Sequence, residues 1–175
     1  MQITTFFIDT ETTGIQNDDE MLSIAIIDQD GNVLLDTYVT PTAKEEWPRA
    51  MQINGITPEF IFTGNFPTLE ALTPVIAEIL ESNRVVMYGA DFDSRFIADA
   101  LTIANPVVED CMTRFSEYMG IWDEKKGIWK RHKLTAAAEW VGYEWIHEPH
   151  GALADALATR AVWAFLDNQR KTVFI

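Results

Sequence analysis

Apolar and polar positions along the chain alternate in two distinct rhythms. Ile3 to Ile8 is a short run of β-prone residues, and Met21 to Asp28 is a second, with Leu22, Ile24 and Ile26 on one side and Ala25 and Ile27 on the other. Asp28-Gln29-Asp30-Gly31-Asn32 is a turn sequence and Val33 to Val39 resumes as a strand, so residues 21–39 are predicted to form a hairpin. Pro41, Pro48, Pro58 and Pro67 then punctuate a connection expected to be long and irregular.

The rhythm changes at Leu69. Apolar residues at 69, 72, 75, 76, 79 and 80 have a helical period, which predicts a helix from Leu69 to Leu80. Arg84 to Tyr88 follows as a short strand, Asp93 to Leu101 as a helix, Pro106 to Val108 as a strand and Cys111 to Met119 as a helix. Residues 120–132 carry no clear period. Lys133 to Val141 and Gly151 to Asn168 are the last two helices, the latter with Leu153, Leu157, Ala161 and Phe165 on a single face. Three leading strands followed by alternating helix and strand predict an α/β fold, with a central mixed five-stranded sheet flanked by helices.

A length of 175 residues with 47% apolar content fits one domain over residues 1–175, with no composition break to mark a linker. No run approaches the twenty apolar residues needed to span a bilayer, so no membrane partner is expected. The start lacks the basic segment of a secretory signal, and Cys111, the single cysteine, cannot form an internal disulfide. Both point to the cytoplasm. Thirteen basic residues against 27 acidic give a formal charge of -14, which argues against broad attachment to a polyanion. It leaves room for a nucleic-acid enzyme whose bound divalent cations reverse the field locally.

The acidic residues recur at strand ends. Ile8 to Gly14 reads IDTETTG, and a strand's period of two sets Asp9 and Glu11 on the same side, where they repel unless something positive lies between them. Ala90 to Asp93 (ADFD) puts another carboxylate where a helix begins after the fourth strand. His150 to Asp155 (HGALAD) puts a histidine and a carboxylate at the opening of the last helix. Open sheets place their sites at such ends. If these carboxylates meet, oxygen-rich ligation suits Mg²⁺ or Mn²⁺. Two such ions about 4 Å apart are suited to hydrolysis of a phosphodiester. A neighbouring imidazole, with an unperturbed pKa of about 6.5, can accept the proton of the attacking water.

These three segments resemble the motifs of the DEDD 3′-to-5′ exonucleases, the superfamily of the DNA polymerase proofreading subunit, ribonuclease T, oligoribonuclease and exonuclease X, within the ribonuclease-H-like fold. The resemblance runs from residue 3 to about 168. It implies that Asp9, Glu11, Asp93 and Asp155 hold two Mg²⁺ or Mn²⁺ ions per active site. His150, five residues before Asp155, places the chain in the histidine-bearing branch (DEDDh) and is implied as the base. Asp91 competes with Asp93, and His147 with His150; in each case the family's spacing selects the second. The resemblance also implies release of nucleoside 5′-monophosphates from the 3′ end of DNA or RNA; single-stranded DNA is the expected substrate although the sequence leaves RNA open, and it leaves open a homodimer like those of ribonuclease T and oligoribonuclease.

Thr12, Thr13, Gly14 and Ile15 correspond to the stretch that holds the 3′-terminal nucleotide in the family. Two positions depart from its pattern: Tyr88-Gly89 replaces a frequent His-Asn, and Asn54 replaces the histidine of a frequent His-Gly-Ile-Thr. Asn54 and Tyr88 are therefore candidate substrate contacts that bear on preference. Lys130-Arg131-His132-Lys133 is the densest positive patch, and Trp122 and Trp129 beside it suit either base stacking or completion of the core. Two other functions are compatible with the same residues: a weakly catalytic binding or proofreading module acting with a partner, and an oligoribonuclease-like enzyme acting on short RNA.

Overall fold

The computed structural model describes residues 3–146 and 150–172. A five-stranded sheet is built from β1 (Thr5–Thr12), β2 (Met21–Asp28), β3 (Val33–Tyr38), β4 (Arg84–Met87) and β5 (Val107–Asp110), in the order β3-β2-β1-β4-β5. β1 pairs antiparallel with β2, and β2 with β3, whereas β4 lies parallel to β1 and β5 parallel to β4. Helices cover the sheet, so the expected mixed five-stranded α/β architecture of the ribonuclease-H-like type is borne out.

Alternation along the strands divides the interior. Phe6, Ile8, Ile24, Ile26, Val85 and Met87 face α3 (Leu69–Leu80) and α5 (Ala98–Ala104). Phe7, Ala25, Ile27 and Val86 face α6 (Cys111–Met119), α7 (Leu134–Trp140) and α8 (Ala152–Thr172). Burying one such large apolar side chain stabilises the fold by about 1.5–3 kcal/mol, so a one-residue slip of register would be heavily penalised on both faces. The register between β1 and β2 shifts at Glu11/Thr12, where Glu11 opposes Ser23 and Thr12 opposes Met21. Leu22, left between those partners, joins a third, smaller cluster with Trp47, Ala50, Ile56 and Ile61.

Four expectations change. β1 continues beyond Ile8 to Thr12, because the Asp9 and Glu11 backbones still pair with Ala25 and Ser23. The proline-punctuated connection contains α1 (Pro48–Asn54) and α2 (Pro58–Thr63), each with its proline at the first turn, where a missing N–H costs no helical bond. The helix expected from Asp93 to Leu101 is two helices, α4 (Ala90–Phe96) and α5, separated at Ile97, whose φ of -115° and ψ of 23° leave the helical region. Residues 120–132 contain a short ribbon of β6 (Trp122–Asp123) and β7 (Ile128–Trp129). Among the described residues no helix is long and apolar enough to cross a membrane.

The alanine content of α8 has a geometric consequence. Ala152 and Ala156 are buried against the face of Phe7 and Ala25, and small side chains let a helix lie close to a sheet. Arg114 of α6 fastens the far part of α8 by a 2.7 Å bond to Asp167, with its guanidinium 4.2 Å from the Trp163 ring centroid.

Candidate active site

The carboxyl end of β1 and the first turn of α8 meet. Asp9 and Glu11 share the Phe7 side of β1, the side that α8 covers, and each of Asp9, Glu11 and Asp155 has a carboxylate oxygen within 4.8 Å of the others. Asp155 lies one turn into α8, and the backbone N–H of His150 donates to its Oδ1 at 3.2 Å. His150 itself is exposed and adopts a left-handed φ of 70°, uncommon for a residue with a side chain. His147, its competitor in the sequence, lies outside the described residues.

Asp93 approaches from the other side of the strand. Thr10, between the two acidic residues of β1, points to the opposite face and donates to Asp93 Oδ1 from its hydroxyl at 2.7 Å and from its N–H at 3.1 Å. Asp93 is 3% exposed. The left-handed Gly89 (φ 90°) makes this placement possible by turning the chain sharply from β4 into α4, and its N–H donates to Asp110 at 3.2 Å.

Burial is the main cause that raises every carboxyl of the group, and neighbouring carboxylates add to it at Asp9 and Glu11. Burial, with the charges of Asp93, Asp155 and Glu11, holds Asp9 well above the usual carboxylate range. Glu11 is pushed up to about 8, first by burial and then by Asp155, against a lowering hydrogen bond from Asn54. Burial takes Asp93 to about 6 although the Thr10 bonds oppose it. Asp155 is raised by burial, opposed by the His150 amide. A set of hard oxygen donors whose ionisation is suppressed chiefly by burial fits a divalent cation of the Mg²⁺ or Mn²⁺ type.

The residues after Glu11 form a closed loop. The Thr12 hydroxyl donates to the Gly14 carbonyl at 2.7 Å, and the Thr13 hydroxyl donates to Asp19 at 2.9 Å while accepting from the Glu20 N–H at 2.9 Å. A Cβ at Gly14 would collide with the Asp19 carboxylate, so close approach explains the glycine there. Ile15 projects from the loop with 73% of its surface exposed. Asn54 ends α1 beside Glu11; its Nδ2 donates to the Thr12 carbonyl at 3.3 Å and its Oδ1 accepts from Ile56 at 3.1 Å. Tyr88 follows β4, packs in the core beneath α8 and donates its hydroxyl to the His132 carbonyl at 3.0 Å.

Glu11, Asn54 and His150 line a cleft of about 270 Å³ whose far wall is Asp36, Thr37 and Tyr38 of β3. A larger hollow of about 560 Å³, bounded by Asp19, Leu69, Arg95 and Ile97, is lined by none of the carboxylate triad, whereas Glu11 of the triad lines the smaller cleft. Sequence reasoning passed over Thr10 and Tyr38. Thr10 was legible from the strand period alone, since the middle residue of Asp-Thr-Glu must face the opposite side; the β3 wall carried no signal.

The family model described as RNase_T: Exonuclease matches residues 6–163. The uncharacterized exonuclease CP81 of Escherichia phage 186 is 34% identical over 167 residues, covering 89% of this chain and 84% of that protein. A DNA polymerase III of the PolC type from Thermotoga maritima is 31% identical over 93 residues, which are 51% of this chain but 7% of the polymerase. Among solved structures, E. coli ExoI with single-stranded DNA, in a zinc-bound form, superimposes with a TM-score of 0.73 at 20% identity, covering 98% of this chain and 42% of that one. Exonuclease X in complex with 5′ overhanging duplex DNA gives a TM-score of 0.70 at 22% identity, covering 94% and 92%.

Proposed function

The chain belongs to the RNase T family of exonucleases, within the DEDDh-type 3′-to-5′ exonuclease superfamily, and from that premise we propose that it removes nucleoside 5′-monophosphates from the 3′ end of single-stranded nucleic acid, DNA in preference to RNA. The observation that carries the reading is the convergence of Asp9, Glu11 and Asp155 from opposite ends of the chain, with Asp93 outside that group but near enough for its charge to act on Asp9. On this reading the whole chain, 1–175, is one exonuclease domain.

In the proposal, Asp9, Glu11, Asp93 and Asp155 hold two Mg²⁺ or Mn²⁺ ions. Bound divalent cations supply acidity to a coordinated water and charge stabilisation to the phosphoryl oxygens. The chain's own residues do the rest. His150, exposed and lining the cleft with a left-handed backbone, accepts the proton of the attacking water. The Asp155 carboxylate accepts from the His150 backbone amide, which ties the backbone that carries the base to one ligand.

Thr12, Thr13 and Gly14 present a closed loop to the terminal nucleotide, and exposed Ile15 wedges against its base. Asn54, anchored to the Thr12 carbonyl, contacts the substrate from the same side as that loop, and Tyr88 is the other candidate contact, its hydroxyl holding the backbone at His132. The reading includes a homodimer, for which the apolar outer edge of β5, with Val107 and Val108 exposed, is a suitable surface.

Single-stranded 20-mers labelled at the 5′ or the 3′ end, incubated with Mg²⁺, Mn²⁺ or EDTA, test the reading. Progressive shortening of the 5′-labelled strand, with mononucleotide released from the 3′-labelled one and none in EDTA, is expected. Shortening from the 5′ end, or no cleavage with either metal, would overturn it. RNA of the same sequence tests the preference for DNA, and light scattering tests the dimer.

A further inference from the structure

The ribbon of β6 and β7 has no part in the site built above, yet its chemistry is specific. Trp122 and Trp129 face each other across it, edge to face with ring centroids 5.1 Å apart, and remain 48% and 38% exposed. Tryptophans that completed a core would be covered; these two form an exposed aromatic pair on one face of the ribbon, while Ile121 and Ile128, also exposed, lie on the other.

Around them lies the positive charge that the chain otherwise lacks. Residues 125–133 hold five of the 13 basic side chains and no acidic one, in a molecule of formal charge -14. Among the described residues, Lys125, Lys130, Arg131 and Lys133 form no ion pair within 4 Å, and only Lys126 approaches a carboxylate, that of Asp123, at 4.0 Å. Unpaired cations beside exposed indoles complement a ligand with both phosphates and unstacked planar rings.

The fold sets this patch on the catalytic rim. β4 runs parallel to β1, so its carboxyl end lies at the same edge of the sheet as Glu11. Tyr88 sits at that end, five residues before Asp93, and its hydroxyl holds the His132 carbonyl. The ribbon is closed by the Lys130 N–H donating to the Ile121 carbonyl at 2.8 Å and packs on α6 along a groove lined by Thr113, Ser116, Trp129 and Arg131. A strand whose 3′ end enters the cleft therefore has this ribbon within reach of its 5′-ward nucleotides.

We propose that the β6–β7 ribbon is a second nucleic-acid subsite that holds the single strand upstream of the terminal nucleotide, Trp122 and Trp129 stacking on bases while Lys130 and Arg131 neutralise phosphates. This extends the exonuclease reading and rests on it. Stacking tolerates any base, so the subsite adds affinity for longer strands without sequence preference.

The test compares binding of a 5′-fluorescein 20-mer and 3-mer, with Ca²⁺ in place of Mg²⁺, by wild type, W122A/W129A and K130Q/R131Q. Both variants should weaken the 20-mer about tenfold or more, while the 3-mer serves as reference for the cleft. K130Q/R131Q should also flatten the dependence of log K on log salt by about 1.4, the expectation for two lost phosphate contacts to a single strand. Lys130 and Arg131 are exposed, so that variant keeps the test valid if the tryptophan variant fails to fold. A wild-type ratio of 20-mer to 3-mer affinity in K130Q/R131Q overturns the subsite while leaving the exonuclease reading intact. A wild type that neither binds nor cleaves the 20-mer overturns both.

Discussion

Thr10 holds Asp93: hydroxyl and amide of one residue converge on a single carboxylate oxygen at 2.7 and 3.1 Å, tying the central strand to α4 across 83 positions of sequence. The bond links the two faces of the sheet at the point where the acidic cluster forms. It also opposes the burial that raises the Asp93 pKa.

Replacing Thr10 by valine keeps the shape and the amide bond but removes the hydroxyl. Stability should fall by about 1 kcal/mol, the usual net value of one such bond. The Asp93 pKa should rise further, and Mn²⁺ affinity at pH 7 should weaken severalfold. Thermal melts and metal titration read the two effects, and an unchanged titration would remove Thr10 from the site's support.

Acidity and metal should act on stability in one pattern. Glu11 at about 8 and Asp93 at about 6 lie above their unfolded values, so the metal-free fold binds more protons than the unfolded chain. Their protonated forms favour folding at low pH, and that contribution is lost as pH rises through about 6 and then about 8. Glu20 and Asp28, held low by hydrogen bonds, act with the opposite sign, and only as pH falls through the ordinary carboxylate range. Melting temperature without metal should therefore drop from pH 5.5 to 8, and the rise on adding Mg²⁺ should be larger at pH 8. A metal effect that is greater at pH 5.5 would contradict the ligand set.

His150 and Asp155 should separate in function. H150A retains the backbone N–H that Asp155 accepts, so metal titration should stay near wild type while turnover drops by about 10²–10⁴, the range for a lost general base. D155N should depress metal affinity and turnover together. Superimposable Mn²⁺ titrations for wild type and D155N would disprove ligation by Asp155.

Gly14 should tolerate no side chain. G14A drives a methyl group into the Asp19 carboxylate, which otherwise accepts from the Thr13 hydroxyl and the Gln16 N–H, and should cost about 1–3 kcal/mol. Adding D19A should recover part of that loss. Fully additive losses in a denaturant series would place the strain elsewhere.

The sequence by itself determined the elements whose side chains repeat with a period. Met21 to Asp28, apolar on both faces because each packs on its own cluster, and the helical spacing from Leu69 to Leu80 both form elements with the predicted bounds, with Leu72, Ile76 and Leu80 of the helix buried and Val75 exposed. The acidic motifs were legible for a related reason: a carboxylate pair on one side of a buried strand needs a counter-charge, whatever the rest of the fold. Short elements carried no such record. Pro48–Asn54 and Pro58–Thr63 have too few turns to show a period, and the Trp122–Trp129 ribbon is held by two facing pairs. Only the tertiary structure decided that Asp155 meets Asp9 and Glu11 within 4.8 Å while Asp93 is held from the other face by Thr10. That arrangement depends on alanines bringing α8 close to the sheet and on the left-handed turn at Gly89, contacts between segments many residues apart that no local pattern encodes.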